Sequence, residues 1–372
     1  MIPTFPTAPR PTAGRTVVPP LPVVNSIQGP GLFLAQFIRN HAPYHSLDAI
    51  CRWAASLGYR GVQLPAWDAR FIDIPRAAES QAYCDDWLAT LDRHGLRLTE
   101  LNAGIAGQVM GIHPAYEVAF QAFYPPGLDD RARVEWATGQ LRLSLRAAAR
   151  LGTSCVPVLS GGLAWHLAYP WPQRPAGLVE EAFRELARRW RPLLDYAHEL
   201  GLTFGYELHP GSDLFDGCTF ERFLGNVGDH PAAAINYDPS HFLLQQLDYC
   251  DFIRRYGARI KGFHVKDAEF RPDGRCGVYG GYEPWASRAG RFRSPGDGQV
   301  DFKRVFTLLT EVGYRGWAVM EWECAVKSPE QGAREGAAFI TRNLIEASAV
   351  AFDDFAGGNV DAGVNRRILG LP

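Results

Sequence analysis

Short apolar runs alternate along this chain with longer stretches in which apolar residues return every third or fourth position. Runs of five to seven residues predict strands, and the 3.6-residue period predicts amphipathic helices. The regular pattern starts near Leu32. Phe33–Ile38 reads as a first strand, and Ser46 as the cap of a helix whose apolar positions are Leu47, Ile50, Trp53, Ala54 and Leu57. Gly58 closes that helix. Gly61–Trp67 is a second strand, residues 79–94 a second helix stopped by Gly95, and Arg97–Asn102 a third strand. Residues 103–127 carry no clear period and read as a long loop. A helix over 129–150 follows, with Val134, Ala137, Leu141, Leu145 and Ala148 on one stripe, then a fourth strand, Ser154–Ser160. An aromatic loop, Trp165–Pro172, leads to a helix over 178–200. Four more strands end at Glu207, Asp238, His264 and Glu321, separated by helices near 219–228, 246–256 and 301–312 and followed by one near 328–348.

The recurring unit is helix, glycine stop, short loop, strand. The stretch Leu57-Gly58-Tyr59-Arg60-Gly61-Val62 is echoed by Val312-Gly313-Tyr314-Arg315-Gly316-Trp317. Eight strands alternating with helices predict parallel βα units closed into an α/β (β/α)8 TIM barrel with its helices outside. An open doubly wound sheet is the other reading, but no G-x-G-x-x-G follows the first strand. The barrel is expected over 31–349. It is flanked by a proline-rich arm over 1–30 and an extension over 350–372. Residues 267–300 are rich in glycine and aromatics and read as a functional lid.

Composition narrows the function. The chain has 372 residues, 47% of them hydrophobic and 21% charged, with a net charge of -2. That balance argues against a nucleic-acid partner. Seven cysteines form no C-x-x-C pair and read as free thiols of a reducing compartment. No apolar run reaches the length of a membrane span. The expected location is the cytoplasm.

The chemistry sits where the last four predicted strands end. Thr203–Glu207, Ala234–Asp238, Ile260–His264 and Trp317–Glu321 each finish on a side chain able to hold a metal. Three carboxylates and one imidazole suit a divalent ion such as Mn, Mg, Co or Zn. In a parallel barrel these ends converge at the carboxyl mouth. Without a cation the carboxylates would repel and resist ionisation.

Five motifs then carry a resemblance: Tyr206-Glu207-Leu208-His209-Pro210-Gly211, Tyr237-Asp238-Pro239-Ser240-His241, Phe263-His264-Val265-Lys266-Asp267, Arg293-x-Pro295-Gly296-x-Gly298 and Met320-Glu321-Trp322-Glu323. Over residues 32–348 the chain resembles the xylose-isomerase-like TIM barrels, the sugar phosphate isomerase/epimerase superfamily. The resemblance implies that Glu207, Asp238, His264 and Glu321 bind one divalent metal, most often Mn. It implies that Glu207 and Glu321 exchange protons with a sugar carbon. His241 and Arg293 match substrate contacts of the epimerase branch, and Lys266 and His209 are placed with them. Glu323 lies two residues from Glu321 and shares its face by strand period.

The expected activity is isomerisation or epimerisation of a carbohydrate, by moving a proton at the carbon beside a carbonyl through an enediolate. A lyase or dehydratase acting on a keto-sugar, an inosose or a 3-keto-glycoside is the alternative on the same site. An endonuclease type IV reading would need histidines after the second and third strands, where the chain has Leu64-Pro65-Ala66-Trp67 and Leu101-Asn102-Ala103. The arm and extension leave room for a homo-oligomer. No dense Arg/Lys cluster or phosphate loop marks the mouth, so a phosphorylated substrate is not implied. Trp67, Trp165, His166 and Trp285 are loop aromatics that either stack on a sugar or pack inside. Glu100, at the end of the third strand, is a further pocket candidate.

Overall fold

The computed structural model describes residues 24–25, 27–347 and 362–372. Most of the proline-rich arm and much of the C-terminal extension therefore lie outside the described residues. The chain divides into two compact units. The smaller holds Met1–Asn25 with Glu346–Pro372; in it Val24–Asn25 pairs antiparallel with Glu346–Ala347, and Ala362–Ile368 is helical. The larger unit, Ser26–Ile345, carries the candidate site.

Eight parallel strands build it: β1 (Gln28–Phe33), β2 (Gly61–Pro65), β3 (Arg97–Asn102), β4 (Cys155–Val158), β5 (Thr203–Glu207), β6 (Ala233–Tyr237), β7 (Ile260–Val265) and β8 (Trp317–Met320). β8 pairs with both β1 and β7, which brings the ends of the chain's strand series together. The ladder runs β3-β2-β1-β8-β7-β6-β5-β4. The Ala103 N–H after β3 donates to the Pro157 carbonyl of β4 at 2.9 Å, tying the two remaining edges at the mouth. This is the (β/α)8 barrel expected from the sequence. Among the described residues no helix is long and apolar enough to cross a membrane, and all seven cysteines are free.

Helices wrap the outside with their apolar stripes inward. Leu178–Glu199 buries Phe183, Leu186, Trp190, Leu193, Leu194 and Ala197. Each of the phenylalanine and leucine side chains among them contributes about 1.5–3 kcal/mol of transfer free energy. The Trp190 indole N–H donates to the Ser160 carbonyl at 2.9 Å, so its polar edge is not left unsatisfied on burial.

Three local expectations change. The first strand is Gln28–Phe33, and residues 35–37 form a turn. β1 begins Gln-Gly-Pro-Gly, which has poor strand propensity; pairing on both sides, to β8 and β2, overrides it. Second, the stretch 103–127 is largely helical: Gly104–Val109, Pro114–Tyr116, Glu117–Phe120 and Gln121–Phe123. The first of these packs so closely on the end of β4 that a Cβ on Gly107 would collide with the Leu159 carbonyl. Third, the lid stretch begins and ends in an antiparallel ribbon, Asp267–Phe270 against Gly290–Arg293.

Candidate metal centre and substrate cavity

The four side chains at the ends of β5, β6, β7 and β8 meet. One donor atom from each of Glu207, Asp238, His264 and Glu321 lies within 4.8 Å of the other three. All four residues are buried. Asp238 also caps the helix Pro239–Leu244, where its Oδ1 accepts the Ser240 N–H at 2.8 Å. Its Oδ2 is buried with no hydrogen-bond donor aligned on it, although Lys266 Nζ and His241 Nε2 each stand 3.3 Å away. Among the described residues the Lys266 ammonium is thus the one cation that faces this oxygen, without an aligned hydrogen bond. The donor set and its clustering fit a bound divalent ion.

Lys266 and His241 complete the floor. Lys266 Nζ is 3.1 Å from Glu321 Oε2, 3.1 Å from Glu323 Oε2 and 3.1 Å from His241 Nε2. Burial works against ionisation of Glu321, but the Lys266 ammonium and the His264 imidazole hold its carboxyl down at about 2. Burial likewise opposes ionisation of Glu207, and His264, His241 and Lys266 outweigh it and keep it well below the usual carboxylate range. Asp238 goes the other way, raised to about 7 by burial against the pull of Lys266, with the Glu207 and Glu321 charges adding to the rise. Burial and the neighbouring Lys266 push His241 down to about 3. Its ring is therefore neutral, with Nε2 3.1 Å from Lys266 Nζ and 3.3 Å from Glu207 Oε1. One cavity floor thus holds two ionised carboxylates, an ammonium and a neutral imidazole.

A second layer fixes His264, and it comes from β2 and β3. The Gly104 N–H donates to Asn102 Oδ1 at 2.8 Å, which leaves Asn102 Nδ2 to donate to Gln63 Oε1 at 3.0 Å. Gln63 Nε2 donates to Glu100 at 3.1 Å. Gln63 Oε1 is thereby an acceptor, and His264 Nε2, 3.0 Å away, must carry the hydrogen. His264 Nδ1 is left facing Glu321 Oε2 at 3.0 Å and Glu207 Oε2 at 3.4 Å. Setting the tautomer of a metal-ligand histidine through its far nitrogen is a familiar use of outer partners. Gln63 and Asn102 were not among the sequence candidates. Their signal was a glutamine in the middle of a five-residue strand that is buried throughout. Gln36, in the turn after β1, was also missed; its Nε2 donates to Glu321 Oε1 at 3.1 Å.

The other candidates separate. His209 lines the cavity, stacks on His241 with ring centroids 4.9 Å apart, and holds the Pro210 carbonyl at 2.7 Å through Nδ1. Its Nε2 is left for other work. Glu323, like Glu321, lines the cavity and meets Lys266 Nζ at 3.1 Å, although both lie beyond the end of β8. Arg293 is not among the cavity-lining residues; Nη1 pairs with Glu269 Oε2 at 2.9 Å across the ribbon. Asp267 turns away from the cluster and accepts the N–H groups of Gly296, Gly298, Val300 and Ala268. A Cβ on Gly298 would run into its carboxylate, which accounts for the glycine in that motif. Glu100 sits beneath the floor as the anchor of Gln63. The cavity above the quartet is about 890 Å³, and Trp67, Trp165 and Trp285 line it.

With this geometry in hand, comparison with known proteins is informative. A family model described as the xylose isomerase-like TIM barrel matches residues 51–343. Inosose dehydratase of Bacillus licheniformis is 29% identical over 174 residues, 46% of this chain and 57% of that protein. Inosose dehydratase of Geobacillus kaustophilus is 27% identical over 231 residues, 57% of this chain and 70% of that protein. The chain spans about half the length of the first such relatives it matches. The apo structure of 3-keto-D-glucoside 4-epimerase from E. coli superposes with a TM-score of 0.58 at 15% identity, covering 84% of this chain and 98% of that one. This last likeness is one of fold.

Proposed function

We propose, because this chain belongs to the xylose isomerase-like TIM barrel family and its four donors meet at one point, that it is a metal-dependent enzyme that moves a proton at the carbon beside the carbonyl of a sugar. The convergence of Glu207, Asp238, His264 and Glu321 beside Lys266 carries the reading. A divalent ion, with Mn first in expectation, held by these four residues would polarise the carbonyl and its neighbouring hydroxyl, which is worth several kcal/mol.

The chain's own residues supply the rest. Glu207 and Glu321 are held ionised by their neighbours, so either can accept the proton; positioned general-base work contributes about 10²- to 10⁴-fold. The Lys266 ammonium stands between Asp238, Glu321 and His241, where it can hold the enediolate oxygen as charge develops there. His241 and His209 orient sugar hydroxyls. Return of the proton to the other face or the neighbouring carbon gives an epimer or an isomer.

A second outcome draws on His209 and on the inosose dehydratase relatives. After the proton leaves the carbon beside the carbonyl, a carbon–carbon double bond forms and the carbon–oxygen bond one position further breaks. The departing oxygen takes a proton from Nε2 of the His209 imidazolium, which leaves the neutral ring with its Nδ1–H on the Pro210 carbonyl. A His209→Ala variant with undiminished elimination would remove that role.

The test is proton exchange. Mn-loaded protein in D2O with keto-sugars should place deuterium on the carbon beside the carbonyl, read by proton NMR. Glu207→Gln and Glu321→Gln should reduce the exchange at least a hundredfold. Exchange that persists undiminished in both variants would contradict the proposal.

A further inference from the structure

We infer that the substrate is a glycoside, a keto-sugar ring joined to a flat apolar aglycone, and that the rim of the cavity is the aglycone subsite. The inference rests on the proton-transfer reading for the inner half of the cavity and adds an occupant for the outer half.

The cavity is two-tiered. Its floor is polar: Glu207, Lys266, His241, Glu321 and Gln36. Two aromatic walls climb from that floor. On one side Phe33 stacks on His264 at 5.8 Å and meets the edge of Trp67 at 6.3 Å. On the other, Phe292 lies 4.6 Å beneath Lys266 Nζ, packs against His241 at 5.2 Å, and carries Trp285 at 4.7 Å. Tyr169, from the loop after β4, meets Tyr279, from the stretch after β7, at 5.6 Å over the same cavity. The walls arise from separate βα loops, so no single helix stripe or core cluster explains them.

Exposure sets these rings apart. Trp67 is 42% exposed, Tyr169 57%, Trp285 49% and Tyr279 76%. Among the described residues six tryptophans and tyrosines are largely exposed, and these four all line this cavity. Concentrated exposed aromatics mark a binding surface, whereas scattered ones need no explanation. At about 890 Å³ the cavity lies near the top of the ~300–1,000 Å³ range that holds drug-sized ligands. One sugar ring on the floor leaves the rim unfilled.

The chemistry of the rim selects the second group. Trp67, Ile105, Phe123, Trp165, Phe215 and Val278 give the lining a broad apolar stretch, and the polar groups beside it are few, Arg288, Gln245 and the Tyr169 and Tyr279 hydroxyls. A second sugar has more hydroxyls than these groups can serve, and each one buried without a partner costs about 1–3 kcal/mol. A flat apolar ring needs no partners and gains offset or edge stacking on the walls.

Isothermal titration of the Mn-loaded full chain with methyl β-D-glucopyranoside, 4-nitrophenyl β-D-glucopyranoside and cellobiose tests this. The aryl glucoside should bind about tenfold more tightly than the methyl glucoside. Trp67→Ala and Trp285→Ala should each cut that ratio at least threefold; both side chains are substantially exposed, and circular dichroism confirms that the variants fold. Aryl and methyl glucosides of equal affinity, a ratio unmoved in both variants, or no binding of the aryl glucoside would overturn the inference. Cellobiose binding more tightly than the aryl glucoside would also overturn it and assign the rim to a second sugar. Failure of the reaction reading is seen separately, as absence of deuterium exchange on the methyl 3-keto-glucoside. Exchange there with no aryl preference would remove only the subsite, and an aryl preference without exchange would remove only the reaction.

Discussion

The two halves of the barrel are built alike and do different work. β5–β8 end on the four donors, and the lysine that faces them follows β7. β1–β4 end on no donor at all. Gln36, Gln63, Asn102 and Glu100, at or near the ends of β1–β3, instead set how the donors point. The difference teaches that repeated βα units need not share a site evenly. One half carries the four convergent donors, and the other carries amides and a buried acid that brace them, Gln36 and Asn102 reaching the cavity as well.

Substitutions in the donor half should therefore cost chemistry, and those in the supporting half should cost geometry. The largest effect is expected at Glu207. Glu207→Gln removes a donor and a base together, and turnover measured with saturating Mn should fall about 10²- to 10⁴-fold. Lys266→Met comes next, with a turnover loss of about 10²- to 10³-fold. It also strands buried carboxylates, so the metal-free variant should unfold about 3–5 kcal/mol more easily in urea, and added Mn should recover part of that loss.

Gln63→Leu crosses to the other half. It touches neither donor oxygen nor cavity, yet it frees His264 Nε2 and leaves Asn102 and Glu100 without their partner. Mn affinity should weaken about 10- to 100-fold, with a smaller change in turnover once the metal is saturating. Unchanged affinity would show that His264 is oriented by packing or by Asn236 of β6, whose Nδ2 stands 3.2 Å from His264 Nδ1. Trp171→Ala is the smallest case. That ring is 74% exposed and is not among the cavity-lining residues, so stability should shift by no more than about 0.5 kcal/mol and aryl-glucoside affinity should not move.

The same division governs what could be read from the sequence. Barrel and donor quartet were legible because each donor closes a strand-length apolar run, and a parallel barrel gathers such ends at one mouth. Glu323 was legible by its spacing of two from Glu321, although both lie just past the strand. The supporting layer was hidden: Gln63 acts through Oε1 on a residue 201 positions away, and no local pattern announces such a contact. β1 was misplaced because Gly29, Pro30 and Gly31 hide a strand that only its two neighbours impose. The helical stretch after β3 was missed because Gly104 and Gly107 suit close packing on Leu159 better than they suit an isolated helix. Arg293 was placed by motif near substrate, whereas its local chemistry pairs it with Glu269, one of the ribbon carboxylates.

The most direct measurement is calorimetric titration of metal-free protein with Mn, alongside the Glu207→Gln variant. One ion should bind per chain in the parent, and binding should be lost or weakened at least a hundredfold in the variant. No binding in the parent, or binding that the variant retains in full, would mean that the four convergent side chains are not a metal centre, and the proton-transfer account would go with them.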